Sequence, residues 1–344
     1  MKRWTMLLTL VLCAVGMLTL AGCGGADKKA ANRTVAVLLA NTSENWYQNG
    51  YAIQEALEKE GFRVDLRFAS TDMQQVDDFR NAITKKPVAI ITGAVNGNAL
   101  KGVLAEAQKR DVPVIAYDRM IMDSPHVSYF VGFDSKEIGR AQGRAIEKAL
   151  RLKDAGGSDN IELFAGDPKD ANAQLFFEGA MEILQPYMEK GRLAIPSGDR
   201  TFAQATTLNW NANHAQGRME RILQNAYADG RELSAVLSPN DELAKGIRAA
   251  LDTMYKGQSP FITGLDAEPE AVRAIAAGRQ GMTIDKPPAL PVNECLHLVR
   301  SLAEGKSPTS DIQIDNGARN VPSFLCAPVV IDKNNLESVY WLKK

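Results

Sequence analysis

Histidine and cysteine are scarce in this chain: three histidines and four cysteines in 344 residues. That scarcity removes most routes to metal and thiol chemistry. His126, His214 and His297 stand apart, with no i, i+4 partner of the kind a helical zinc site needs. His297 falls in the apolar run of a helix, where packing accounts for it. No metal and no cofactor is expected. Catalytic signatures are missing too: there is no G-x-S-x-G elbow and no Walker loop. Gly93, Gly97 and Gly102 follow an apolar run, but their spacing is not G-x-G-x-x-G, which argues against a dinucleotide. Carboxylates are plentiful and a glycosidase pair stays open, yet nothing singles one out. No catalytic residue is assigned and no enzyme is expected. An excess of charge of either sign is also absent, with 40 basic and 41 acidic residues interspersed. Without a basic stripe, nucleic acid is excluded as a partner.

What is present begins at the N-terminus. Lys2 and Arg3 precede an uncharged stretch at 6–20. A transmembrane helix needs roughly 20 apolar residues, so the stretch reads as a secretory signal. It ends in Leu20-Ala21-Gly22-Cys23, which resembles a bacterial lipobox, so Cys23 is the expected lipid-bearing residue. An uncleaved anchor with an incidental cysteine is the alternative. The expected divisions are a signal at 1–22 and a small, polar tether at 23–32. The expected location is extracytoplasmic, lipid-anchored to the bacterial cell membrane. Only Cys295 and Cys326 then remain in the mature chain. They could form one bridge, but both sit in apolar patterns and read as buried free thiols.

About 320 residues remain after the signal, enough for two domains. Short β-branched runs alternate with longer amphipathic ones. Strands are read at 34–40, 64–68, 88–92, 114–117, 129–132, 161–164, 235–238, 261–264 and 281–285. Helices are read at 47–60, 73–84 and around 100–107 and 138–146. More follow near 172–185, 211–228, 241–255, 269–277 and 291–304. In the first helix Tyr51, Ile53, Ala56 and Leu57 are expected to face the core, with Gly61 ending it. This rhythm means βαβ units and parallel sheets. Two open α/β domains are favoured, and a closed barrel of eight units is the competing architecture.

Polar residues gather just after the strands, where open α/β sheets bind ligands. Asp118 and Arg119 follow one strand, Asn240 and Asp241 another, and Asp266 and Lys286 follow later ones. Such groups suit sugar hydroxyls, which both donate and accept. Trp46 and Trp210 lie in otherwise polar surroundings and suit stacking on a ring face. Each has a plainer reading. Asp118-Arg119 could be a cap or surface ion pair, Asn240-Asp241 an N-cap, and either tryptophan a core residue.

Six stretches carry a resemblance. They are VIAYDRMI at 114–121, IELFAGDPKDANAQLFFEGAM at 161–181, LNWNANHAQGRME at 208–220, AVLSPNDELAKGI at 235–247, TGLDAEPEAVRAIAAG at 263–278 and DNGARNVPSFL at 315–325. In this order they resemble the periplasmic sugar-binding proteins of ABC importers, in the branch of xylose-binding and multiple-sugar receptors. The resemblance implies the type I periplasmic binding protein fold: two similar doubly wound parallel-sheet domains joined by a three-crossing hinge. It places crossings near 132–135, 284–287 and 321–325. The lobes would comprise 33–133 plus 287–322, and 134–286 plus 323–344. The implied ligand residues are Trp46, Asp118, Arg119, Asn172, Trp210, Asn240, Asp266 and Lys286, with the tryptophans as stacking walls. The implied function is capture of a monosaccharide or related small polyol by hinge closure, and delivery to a membrane permease by a monomer. A signalling receptor for a sugar or furanose-like autoinducer is the alternative. Three positions depart from the family: Asn45 where relatives often carry Arg, Ser135 in place of Asn, and Leu265 in place of Gln. A lost clamp arginine removes charge-assisted donors, about 1.5–3 kcal/mol each.

Overall fold

The run TVAVLLA forms β1 (Thr34–Ala40), buried at every position after Thr34. A strand hidden on both faces has no polar alternation to show, as in parallel sheets covered by helices. The computed structural model describes residues 33–40, 44–154 and 156–343. The expected signal, Cys23 and nearly all of the tether lie outside the described residues.

After β1 come α1 (Glu44–Lys59), β2 (Arg63–Ala69), α2 (Asp72–Thr84), β3 (Ile90–Gly93), α3 (Gly97–Gln108), β4 (Val114–Tyr117) and β5 (Tyr129–Phe133). Next are α4 (Ser135–Ala149), β6 (Asp159–Leu163), α5 (Ala171–Glu189), β7 (Leu193–Ala194) and α6 (Phe202–Ala205). A 3-10 turn at Leu208–Trp210 leads to α7 (Ala212–Ala226), β8 (Ala235–Leu237), α8 (Asp241–Met254), β9 (Phe261–Ile262) and α9 (Pro269–Ala276). The chain ends with β10 (Met282–Asp285), α10 (Ala289–Ala303), β11 (Gln313–Asp315), β12 (Asn320–Cys326) and β13 (Val329–Asp332).

The strands form two main open sheets, so the closed-barrel alternative falls. The first has seven strands in the order β11-β12-β5-β4-β3-β1-β2, and the second four in the order β7-β6-β8-β9. Every pairing in both is parallel except β11 with β12. A separate antiparallel pair joins β10 to β13. The chain leaves the first sheet after β5. It leaves the second sheet after β9 for β10, and returns to the first through α10. The last passage falls at 327–328, because β12 stays paired with β5 as far as Cys326. That is slightly later than the 321–325 expected.

Helices cover both faces of the seven-stranded sheet. Phe79, Leu100 and Leu104 pack on one face, and Ile53, Leu57 and Leu298 on the other. Tyr51 is a correction: it is 59% exposed, its ring leaning on Phe68. Cys295 is buried and Cys326 half-buried, and both are free thiols. Burial pushes the Cys326 thiol up to about 11 and the Cys295 thiol higher still, so both are protonated at neutral pH. Among the described residues no helix is long and apolar enough to cross a membrane.

Candidate functional site

Strand order reverses at β1 in the first sheet and at β6 in the second, since each is flanked by the strands that follow it in sequence. Crevices open at such switch points, beyond the carboxyl ends of the strands. The two sets of strand ends face each other across a cleft, and side chains bridge it. The Asn172 amide nitrogen donates to the Asp118 carbonyl at 2.9 Å. Arg119 Nε lies 2.8 Å from Asp170 Oδ2, an ion pair in which the N–H does not point along the contact.

A charged centre sits where β10 ends. Lys286 Nζ lies 3.2 Å from Asp118 Oδ1 and 3.3 Å from Asp266 Oδ1. Burial works against its ammonium, but the two carboxylates outweigh burial and hold its pKa above the ordinary value. Lys286 therefore stays charged, and with its two partners it offers donors and acceptors side by side. The Phe133 ring lies 6.0 Å from the ammonium.

Each tryptophan lies against a glycine at a switch point. A Cβ on Gly93, at the end of β3, would fall 2.3 Å from the Trp46 ring, and one on Gly166, just after β6, 2.0 Å from the Trp210 ring. Only glycine admits such an approach. Trp46 is in the first turn of α1 rather than a loop, and is 7% exposed. The Arg119 guanidinium stands 5.0 Å from its ring centroid, within cation–π range. Arg119 Nη1 donates to the Ala94 carbonyl at 2.9 Å, fixing the fork across the cleft floor.

Other expected ligand residues are partly committed to the scaffold. Asn240 Oδ1 caps α8 by accepting from Leu243 N at 3.0 Å, so its N-cap reading holds and its amide nitrogen is left over. Asp241 is no cleft residue: it is 1% exposed and accepts from Gln280, Thr283 and the Glu268 amide. Asn172 Oδ1 accepts from the Ser135 hydroxyl at 2.8 Å, which gives the departure at Ser135 a scaffold role. Leu265 is buried with Phe133, Ile138, Phe176, Met282 and Ile284. Its departure thus alters core packing and not the cleft.

The sequence reading missed Asp170, and it singled out Asp167 only as a polar residue just after a strand, with no ligand role. Asp170 caps α5 through Asn172 N while its other oxygen faces Arg119. Asp167 accepts from the amides of Lys169 and Asn209, tying together the loops that carry Asp170 and Trp210. Their signal is GDPKDAN itself, acidic residues spaced as turn and cap. Backbone conformation was also hidden: Asp118, Asn209, Trp210 and Asp266 all have positive φ. Asp and Asn tolerate that region, whereas for tryptophan it is strain, of a kind that gathers at binding sites. Among the described residues no group of His, Cys, Asp and Glu is arranged to hold a metal ion.

The periplasmic binding protein domain family matches residues 35–307. The chain is 37% identical to the multiple sugar-binding periplasmic receptor ChvE of Rhizobium radiobacter, over 89% of this chain and 88% of that protein. It is 30% identical to the D-xylose-binding periplasmic protein of Escherichia coli, over 86% and 84% respectively. A solved ABC transporter solute-binding protein from Clostridium phytofermentans, with bound β-D-glucose, superposes with TM-score 0.85 at 38% identity. That match covers 88% of this chain and 95% of the other. The fold is that of the type I periplasmic binding proteins.

Proposed function

The chain belongs to the periplasmic binding protein domain family, and from that premise we propose that it captures a monosaccharide outside the cytoplasm and hands it to an ABC-type permease. It is a binding protein and not an enzyme. The observation that carries the sugar reading is the charged centre: one ammonium between two carboxylates, beside Arg119 and with the two tryptophans nearby. Hydroxyls of a ring would donate to Asp118 and Asp266 and accept from Lys286 and Arg119, while Trp46 and Trp210 cover its C–H faces. The names of the relatives support the same class of ligand.

In this reading the two sheets head two lobes, with 33–133 and most of 287–326 in one and 134–286 with the C-terminal segment in the other. The lobes move about the three chain passages. Asn172–Asp118 and Arg119–Asp170 are the contacts of the closed state, and ligand favours that state by touching both lobes at once. Cys23 would carry the lipid that holds the mature protein at the membrane, and one protomer would suffice for capture.

A thermal-shift screen of pentoses, hexoses and their alcohols tests this, because a ligand bound only to the folded state raises Tm. At least one sugar should raise Tm. Asp118→Asn and Arg119→Gln should abolish that rise while the unliganded proteins still melt cooperatively. An undiminished rise in both variants would remove the charged centre from the site.

A further inference from the structure

The cleft extends well past the charged centre. β2 is an edge strand of the seven-stranded sheet, opposite the β11 edge, and β7 is an edge strand of the four-stranded sheet, opposite the β9 edge. The loop after β2 and the loops bearing Asp167, Lys169 and Asn209 meet at this far end. They border a cavity of about 390 Å³. That is itself the size of a small-molecule site, for which ~300–1,000 Å³ is usual. Of the expected ligand residues only Arg119 and Trp210 border it. Asp118, Asp266 and Lys286 do not border it, and Lys286 directly follows β10, where the chain passes between the sheets.

The lining has the chemistry of a second sugar ring. Lys169 is exposed and makes no ion pair among the described residues, and the exposed Asn209 side chain is likewise uncommitted. Asp72 gives one oxygen to Asn96 at 2.7 Å and keeps the other. Met73 is 76% exposed, an apolar side chain held out at the start of α2 beside these polar groups. Trp210 supplies a flat apolar surface shared with the charged centre. A cation, an amide, a carboxylate oxygen and two apolar surfaces match hydroxyls and C–H faces as the inner site does.

We infer that this cavity is an outer subsite and that the protein takes disaccharides, one ring at the charged centre and the second between Met73 and the Lys169–Asn209 loops. This rests on the sugar reading above. Calorimetric titration of the full-length protein with D-glucose, D-xylose, cellobiose, maltose and xylobiose tests it. The wild type should bind a monosaccharide and at least one disaccharide built from it. Met73→Ala and Lys169→Ala should each weaken disaccharide binding roughly three- to tenfold and change monosaccharide binding by less than about twofold. Met73→Trp, which fills the cavity, should block the disaccharide alone. Monosaccharide binding with no disaccharide binding, or equal losses for both in the variants, overturns the subsite and spares the sugar reading. If neither class binds, the sugar reading itself fails and the subsite with it.

Discussion

A methyl group at residue 166 would lie 2.0–2.4 Å from three atoms of the Trp210 ring, and one at 93 would lie 2.3–2.5 Å from Trp46. Neither ring can yield without leaving the wall it forms, since the opposing atoms are parts of a rigid indole. Gly166→Ala and Gly93→Ala should therefore act on binding more than their size implies. Overpacking of this kind costs about 1–3 kcal/mol, so sugar affinity should fall about five- to hundredfold. Titration of each variant beside the wild type reads the effect; unchanged affinity would mean the tryptophans do not bound the site. Glu268 gives a second prediction at this scale. Burial first, then the carboxylates of Asp266 and Glu242, push its pKa from 4.5 to about 7, against the pull of Lys245. The folded protein thus holds this proton more tightly than the unfolded chain. The stabilisation is complete below about pH 4.5 and is lost as pH rises through about 7, by about 3 kcal/mol at most. Glu268→Gln should flatten that part of the stability–pH curve, measured by urea melts. A slope that survives the substitution would assign it to other groups.

At the scale of elements, the loop that presents Asp266 is held from behind. Asp241 accepts from Thr283 Oγ1 and Gln280 Nε2, each at 2.8 Å, and from Glu268 N at 3.0 Å. Thr283 Oγ1 also accepts from Ala267 N at 3.2 Å. Thr283→Val keeps the shape but removes one of the two donors to Asp241 Oδ2 and strands the buried Ala267 amide, and should cost about 1–3 kcal/mol in urea unfolding. It should weaken sugar binding as well; a stability loss without a binding loss would separate this network from the site. Such networks mark the limit of what sequence discloses. β1 and the helices near 172–185 and 241–255 were legible because long apolar or amphipathic runs have one period each. β7, of two residues, and β11, exposed and polar, carry no such period, and only neighbouring strands define them. Asp118 and Arg119 were legible as polar residues ending a buried strand. Asp241 looks the same in sequence, yet its partners lie 27 to 42 residues away, so its burial could not be read. Asp170 was hidden for the converse reason, because a helix cap and a cleft residue are here the same side chain.

At the scale of the whole molecule, contacts that join the two sheets concentrate at the candidate site and near the passages. Arg119–Asp170 and Asn172–Asp118 span the cleft, and Tyr340 Oη donates to Gln48 Oε1 at 3.3 Å, tying the C-terminal segment to α1. Site and joint are thus built from adjoining residues, as capture by closure requires, and a ring bound at Lys286 would rest on both halves. The most direct test is a calorimetric titration of the wild-type protein at pH 7 with D-glucose and D-xylose, followed by recovery of the sugar. The account predicts saturable one-to-one binding of at least one of them, with the sugar returned unaltered. No heat from either sugar, or a sugar returned chemically changed, would contradict it.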